Sequence, residues 1–314
     1  MSHRTAEGGH RPVLLQEAVE RLGVRSGGVY MDGTFGRGGH SRTILARLGE
    51  AGRLIAMDRD PQAVAAAQVQ WGDDRRFAIY RGAFSMLERI AQQTAVAGRV
   101  NGVLLDLGVS SAQLDDPRRG FSFLHNGPLD MRMDPDAGES AAEWLNRASE
   151  KQIADVIYQY GEERYAKRIA RAVVTARAAA PIAETRPLAA IVSHAVPTRE
   201  RKKHPATRTF QALRIFINRE LEELENCLDQ CLRVLAPHGR LVVISFHSLE
   251  DRLVKRFIRA HARPAPPDPQ APWVQSHESP KLSVLGRAVR PGEEEINLNP
   301  RARSAVLRAA ERLP

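Results

Sequence analysis

Three acidic residues in this chain each close a short apolar run: Val29-Tyr30-Met31-Asp32, Leu54-Ile55-Ala56-Met57-Asp58 and Val103-Leu104-Leu105-Asp106. Such runs predict buried strands. After Asp32 the chain reads Gly33-Thr34-Phe35-Gly36-Arg37-Gly38-Gly39-His40-Ser41, with four glycines in seven residues, followed by a helical pattern through Ile44, Leu45 and Leu48. Strand, glycine loop and helix start bring backbone N–H groups against a ligand. Glycine there permits positive φ and close backbone approach. The spacing G-x-x-G-x-G-G differs from the dinucleotide fingerprint G-x-G-x-x-G. Asp58 lies 26 residues beyond Asp32 (58 − 32), in the region where a βαβ nucleotide site sets an acid against a ribose diol. Asp58 followed by Pro61 also reads as a helix N-cap. Loop and acid together point to an adenosine-containing cofactor. A carboxylate at Asp106 can accept hydrogen bonds from an amine, on the cofactor or on a substrate.

These residues are positioned by an alternation of strands and helices. A third strand is expected at Arg76–Phe84, a fourth at Val100–Gly108 and a fifth at Arg240–His247. The pattern predicts an α/β, doubly wound, mostly parallel sheet. Asp32, Asp58, Phe84, Asp106 and Ser245 to His247 then fall at carboxyl ends of strands, where open α/β sheets bind ligands. The rhythm breaks after Asp106. Residues 110–136 are rich in turns, and helical patterns without strands follow, with capping boxes at Ser140-Ala141-Ala142-Glu143 and Ser149-Glu150-Lys151-Gln152. The expected organisation is a cofactor domain of residues 1–110 and 206–314 carrying a helical insertion at 111–205. A long amphipathic helix is expected at Thr209–Leu235, a proline-rich loop at 263–272 and a last edge strand at Arg303–Glu311.

Composition adds a partner. The chain has 314 residues, 43% hydrophobic, enough for a large core with a smaller domain. Its net charge is +9, and only six of its 46 basic residues are lysine. Guanidinium groups in excess suit a phosphate-rich polyanion. No apolar run approaches the ~20 residues of a membrane span, and the first residues lack the apolar segment of a signal peptide, so a cytoplasmic protein is expected. Cys227 and Cys231, four apart on one helix, read as packing residues, and no metal site is expected.

Several blocks taken in order resemble the bacterial 16S ribosomal RNA cytosine-N4 methyltransferases, which use S-adenosylmethionine. They are Asp32 to Ser41 (DGTFGRGGHS), Asp106 to Ser111 (DLGVSS) with Gln113-Leu114-Asp115, and Arg119 to Phe123 (RGFSF). Gly127 to Asp134 (GPLDMRMD), His204 to Arg214 (HPATRTFQALR), Ser245 to Arg252 (SFHSLEDR) and Asn299 to Ser304 (NPRARS) complete the series. Ala112 departs from the proline often found there. The resemblance implies a methyltransferase fold with a helical insertion that binds substrate. It also implies cofactor contacts at Gly38, Gly39, His40, Asp58, Phe84, Asp106 and Gln113, and a substrate that is 16S rRNA within the small ribosomal subunit.

Cytosine N4 is a poor nucleophile because its lone pair is delocalised, so an acceptor on the amine must draw it towards sp³ geometry. Asp106 is the candidate, or a nearby backbone carbonyl, with Phe121, Phe123, Phe246 or His247 clamping the ring. RNA contacts are expected from Arg199, Arg201, Lys202, Lys203, His204 and Arg208, with the helix at Arg252 to Arg259. Two other readings share parts of this pattern: an NAD-dependent dehydrogenase, and a non-catalytic ribosome-assembly factor retaining a cofactor fold.

Overall fold

The computed structural model describes residues 12–197, 204–263 and 279–314. Arg199, Arg201, Lys202, Lys203 and nearly all of the proline-rich stretch lie outside these residues. The chain forms two compact units, Met1–Gly108 with Glu222–Pro314, and Val109–Leu221. In the first unit run α1 (Leu15–Leu22), β1 (Val29–Asp32), α2 (Gly39–Arg47), β2 (Arg53–Asp58), α3 (Pro61–Trp71), β3 (Phe77–Arg81), α4 (Leu87–Gln93) and β4 (Val100–Asp106). The second holds α5 (Ser111–Asp115), α6 (Ala141–Arg147), α7 (Glu150–Gly161), α8 (Ala166–Ala179), α9 (Thr185–Ala195) and α10 (Thr207–Ile217). The chain then continues through α11 (Glu220–Val234), β5 (Leu235–Ser245), α12 (Ser248–His261), β6 (Leu282–Val284), α13 (Glu293–Leu298) and β7 (Val306–Arg312).

The sheet of the first unit has the order β3-β2-β1-β4-β5-β7-β6. It is parallel from β3 to β5, and β7 and β6 close it antiparallel. The apolar runs are continuous because both faces are covered. Met31, Ile55, Val103, Leu105 and Val243 face one core with Leu224, Cys227, Leu228 and Cys231 of α11. Tyr30, Leu54, Leu104, Val242 and Ile244 face the other with Ala18, Val19 and Leu22 of α1 and Ile44 of α2. Both cysteines are thus buried packing residues, as their spacing suggested. From β1 the chain winds to β2 and β3 on one side, and β4 lies on the other side of β1. The topological switch point falls between β1 and β4, where a doubly wound sheet opens its crevice.

Two expectations need correction. The last strand is not an edge: β7 pairs with β5 on one side and with the three-residue β6 on the other, and so short a strand left no readable pattern. The helix expected at Thr209–Leu235 is two helices, α10 and α11, broken where Arg219 takes φ 51°. The apolar periodicity runs through this break, so it has a tertiary cause. The buried Asn218 donates to the Met131 carbonyl at 2.7 Å and accepts from the Met133 N–H at 2.7 Å, and Arg214 pairs with Glu220 across the break through two contacts of 2.8 Å.

The second unit is helical, with a core including Trp144, Ile157, Ile169, Val173, Leu188, Phe210 and Leu213. Both expected capping boxes are present, Ser140 with Glu143 and Ser149 with Gln152. Helix α10 belongs here, although the sequence reading placed residues from 206 with the cofactor domain. It lies close against α7: a Cβ on Gly161 would come within 2.7 Å of the Arg208 carbonyl. Asn218 also holds Met131 in its left-handed conformation, φ 62°. Asn218→Ala leaves two buried backbone groups unpaired and is expected to cost about 2–4 kcal/mol of stability, read from a denaturant or thermal melt; an unchanged midpoint would contradict the role.

Candidate functional site

The glycine loop leaves β1 at the switch point and is fixed from both sides. Asp32 accepts from Ser41 Oγ at 2.6 Å and from the Thr34 N–H at 3.0 Å. Thr34 Oγ1 in turn accepts from the Asp106 N–H at 2.6 Å, tying the loop to the end of β4. Asp58 Oδ2 accepts from the Gly36 N–H at 2.7 Å and Oδ1 from the Asp60 N–H at 2.9 Å. Asp60, not Asp58, caps α3, its side chain accepting from Gln62 N. Beneath the loop lies an aromatic cluster of Phe35, Trp71 and Phe77.

That cluster explains part of the glycine content differently from the sequence reading. At Gly38, φ is +70° and a Cβ would meet Phe35 and Trp71 at 2.6 Å; at Gly39 it would meet Pro12 at 2.1 Å. These two glycines are required by the loop's own packing, whatever it binds. Gly38 is also the N-cap of α2 and supplies no side-chain cap.

His40 begins α2, buried, with Nδ1 3.5 Å from Asp106 Oδ2. Burial drives its imidazole down to about 4, against a hydrogen bond to the Val13 backbone, so the ring is neutral at pH 7. Its Nε2 and Asp106 Oδ1 are buried without a hydrogen-bond partner among the described residues. The Asp106 carboxyl is raised well above the usual range, first by burial and then by the charges of Asp32 and Glu250. Burial likewise raises Asp58 to about 6, with Asp60 and Asp32 adding to the rise. Asp32 is raised by burial too, against its hydrogen bonds to Ser41 and Thr34.

Phe84 stands in the turn after β3, with its Cβ 3.2 Å from where a Cβ on Gly33 would lie. Its turn is tied to α11: Ser85 Oγ donates to Glu223, and the Ser85 carbonyl accepts from Gln230 Nε2 at 2.6 Å. His247 caps α12 in a capping box with Glu250. Buried Glu250 accepts from the Phe246 N–H at 2.8 Å and the His247 N–H at 3.3 Å. Its Oε1 lies 3.1 Å from His247 Nε2, without hydrogen-bond alignment.

The first unit therefore brings together Gly38, Gly39, His40, Asp58, Phe84 and Asp106, with His247 at the neighbouring strand end. Two expected residues lie in the second unit. Gln113 is buried in α5, where its Oε1 accepts from the Ser110 N–H at 2.9 Å in a capping box. Arg208 Nη1 donates to the Glu162 carbonyl at 3.3 Å, at the end of α7. Phe121 is core in that unit. Sequence reasoning missed Thr34, Ser41 and Glu250. The first two sit inside the quoted loop as short polar side chains two and nine residues after an acid, a pattern that also marks ordinary turns.

The model of the MraW methylase family matches residues 7–313. The chain belongs to this family. It is 59% identical over 306 residues to the ribosomal RNA small subunit methyltransferase H of Thioalkalivibrio sulfidiphilus (strain HL-EbGR7), covering 97% of each chain. Solved structures match at much lower identity. An rRNA methylase from Streptococcus thermophilus is 11% identical at a TM-score of 0.41, covering 98% of this chain and 100% of that one. A SAM-dependent methyltransferase from Aquifex aeolicus is 9% identical at 0.41, covering 95% and 89%.

For this family member the carboxylates carry a stability consequence. A raised acid favours the folded chain while protonated and costs stability once ionised. The Asp58 contribution therefore falls as pH rises from about 4 through about 6 and then levels. Asp106→Asn keeps the shape and removes the charge. It is expected to raise the melting temperature at neutral pH by a few degrees. A lowered melting temperature would contradict the crowding of charge described above.

Proposed function

We propose that this chain transfers a methyl group from S-adenosylmethionine to the N4 amine of a cytidine in 16S rRNA of the small ribosomal subunit, acting in the cytoplasm. The observation that carries the cofactor is the sign of the crevice. In a chain of net charge +9, the switch point is crowded by Asp32, Asp58 and Asp106, all raised by burial, with Glu250 adding its charge against Asp106. Carboxylates so placed favour a cationic ligand, and a sulfonium amino acid is cationic. A dinucleotide would bring an anionic pyrophosphate to the same acids, which disfavours the dehydrogenase reading.

The residues fit the group. The buried Asp106 Oδ1 and His40 Nε2, unpartnered among the described residues, suit the polar atoms of an amino acid moiety. The first-turn amides of α2, beginning at Gly39 after Gly38, suit its carboxylate. Asp58 accepts from the ribose hydroxyls, and Phe84 packs on adenine. S-adenosylmethionine, when bound, supplies an electrophilic methyl on sulfur.

Asp106 is the candidate to accept a hydrogen bond from N4, localising the lone pair towards the methyl group, with His40 neutral beside it. The helical unit binds RNA, through Lys202 and Lys203 and through Arg208 at the start of α10, while His247 borders the target base. The exposed Arg252, Lys255, Arg256 and Arg259 of α12 add phosphate contacts.

Labelled S-adenosylmethionine incubated with small subunits lacking the modification is expected to place label in N4-methylcytidine; label in another nucleoside would overturn the acceptor. Asp106→Ala is expected to reduce turnover roughly 100-fold or more, and full turnover would remove Asp106 from the chemistry. Affinity for S-adenosylhomocysteine is expected to rise with pH as Asp58 ionises near 6. Asp58→Asn is expected to flatten that rise, and a profile unchanged in the variant would remove Asp58 from the ribose.

A further inference from the structure

The block from Arg119 to Phe123 and the block beginning at His204 meet on the surface of the helical unit. The Phe123 and His204 rings lie 4.6 Å apart at 36°. Phe123 is braced from below by Phe210, edge-on at 4.8 Å, and packs against the core of the unit. His204 is exposed, and among the described residues its other face has no aromatic partner. Its Nδ1 accepts from the Ala206 N–H at 3.2 Å, which fixes the ring.

The surface continues along the chain. Leu124, next to Phe123, is 71% exposed. The exposed Arg186 reaches its carbonyl, Nη2 to O, at 3.1 Å. Thr185, the residue before Arg186, is buried and donates its Oγ1 to the His125 carbonyl at 3.3 Å, so the cation is held on an ordered segment.

A ring seated on a braced ring, an exposed leucine and a fixed arginine form the recurring means of holding an unpaired nucleotide: a face for the base and a cation for its phosphate. A protein partner would find little apolar area here beyond Leu124, and a duplex would offer no base face to His204. We propose that the His204–Phe123 pair stacks an unpaired nucleotide of the RNA outside the target cytidine, with Arg186 on its phosphate. This rests on the rRNA reading above and deepens it. The platform holds one or two bases, in keeping with an aromatic content of only 5%.

The test measures two quantities on the full chain: binding of a single-stranded fragment of small-subunit rRNA, and KM and kcat for methyl transfer to unmodified subunits. His204→Ala is expected to weaken RNA binding and raise KM about fivefold or more, with kcat within about twofold and S-adenosylhomocysteine affinity unchanged. His204→Tyr restores binding because a ring remains. Arg186→Ala lowers the slope of log affinity against log salt by about one. Unchanged RNA binding in His204→Ala, or equal loss in His204→Tyr, would overturn the proposal. If the wild-type chain binds RNA but transfers no methyl group, the function reading fails, and the binding ratios still decide the platform.

Discussion

Four carboxylates, Asp32, Asp58, Asp106 and Glu250, are brought to the end of one parallel sheet, and three of them are raised above their ordinary range by burial, Asp58 and Asp106 also by neighbouring acids. β1, β2 and β4 end at Asp32, Asp58 and Asp106, and Glu250 lies in the first turn of α12 after β5. Asp32 is held by Ser41 and Thr34, Asp58 by Gly36 and Asp60, and Glu250 by Phe246 and His247. Asp106 alone keeps an oxygen with no partner among the described residues. A core that places unpaired negative charge at its opening is costly unless a ligand or proton neutralises it. The two apolar faces of the sheet supply the burial that offsets this cost.

The helical unit follows a different constraint. Its loop from Gly127 to Asp134 has little regular structure and is held by side chains that reach into it. Asn218 binds the Met131 carbonyl and the Met133 N–H, and Arg119 donates to the carbonyls of Arg132 and Met133 at 3.1 and 2.8 Å. A residue at φ 62° persists only where its surroundings over-determine it. The two polar anchors therefore fix the shape of a surface that a loop of this composition would not hold alone.

Much of this architecture was legible. Apolar runs ending in acids identified the parallel strands because both faces of the sheet are buried, and serine followed three residues later by glutamate or glutamine identified helix starts because the caps are local. What the sequence did not disclose depends on contacts distant along the chain. The periodicity from Thr209 onward is unbroken, and the helix ends where Asn218 reaches back 87 residues to Met131 and Arg214 pairs with Glu220. Gly38 and Gly39 read as a ligand cradle, yet their glycine is demanded by Phe35, Trp71 and Pro12. Asp58 read as a ribose acceptor, with a helix cap as the alternative; the structure gives the cap to Asp60, leaving Asp58 to the loop.

The central claim is that these acids are arranged for a cation. Calorimetric titration near pH 6 in buffers of different ionisation enthalpy, with S-adenosylmethionine and with the uncharged thioether S-adenosylhomocysteine, counts the protons exchanged on binding. Ionisation of raised carboxylates by an incoming sulfonium predicts proton release, larger for the sulfonium ligand than for the thioether and reduced in Asp106→Asn. No proton exchange, or uptake of protons with either ligand, would contradict it.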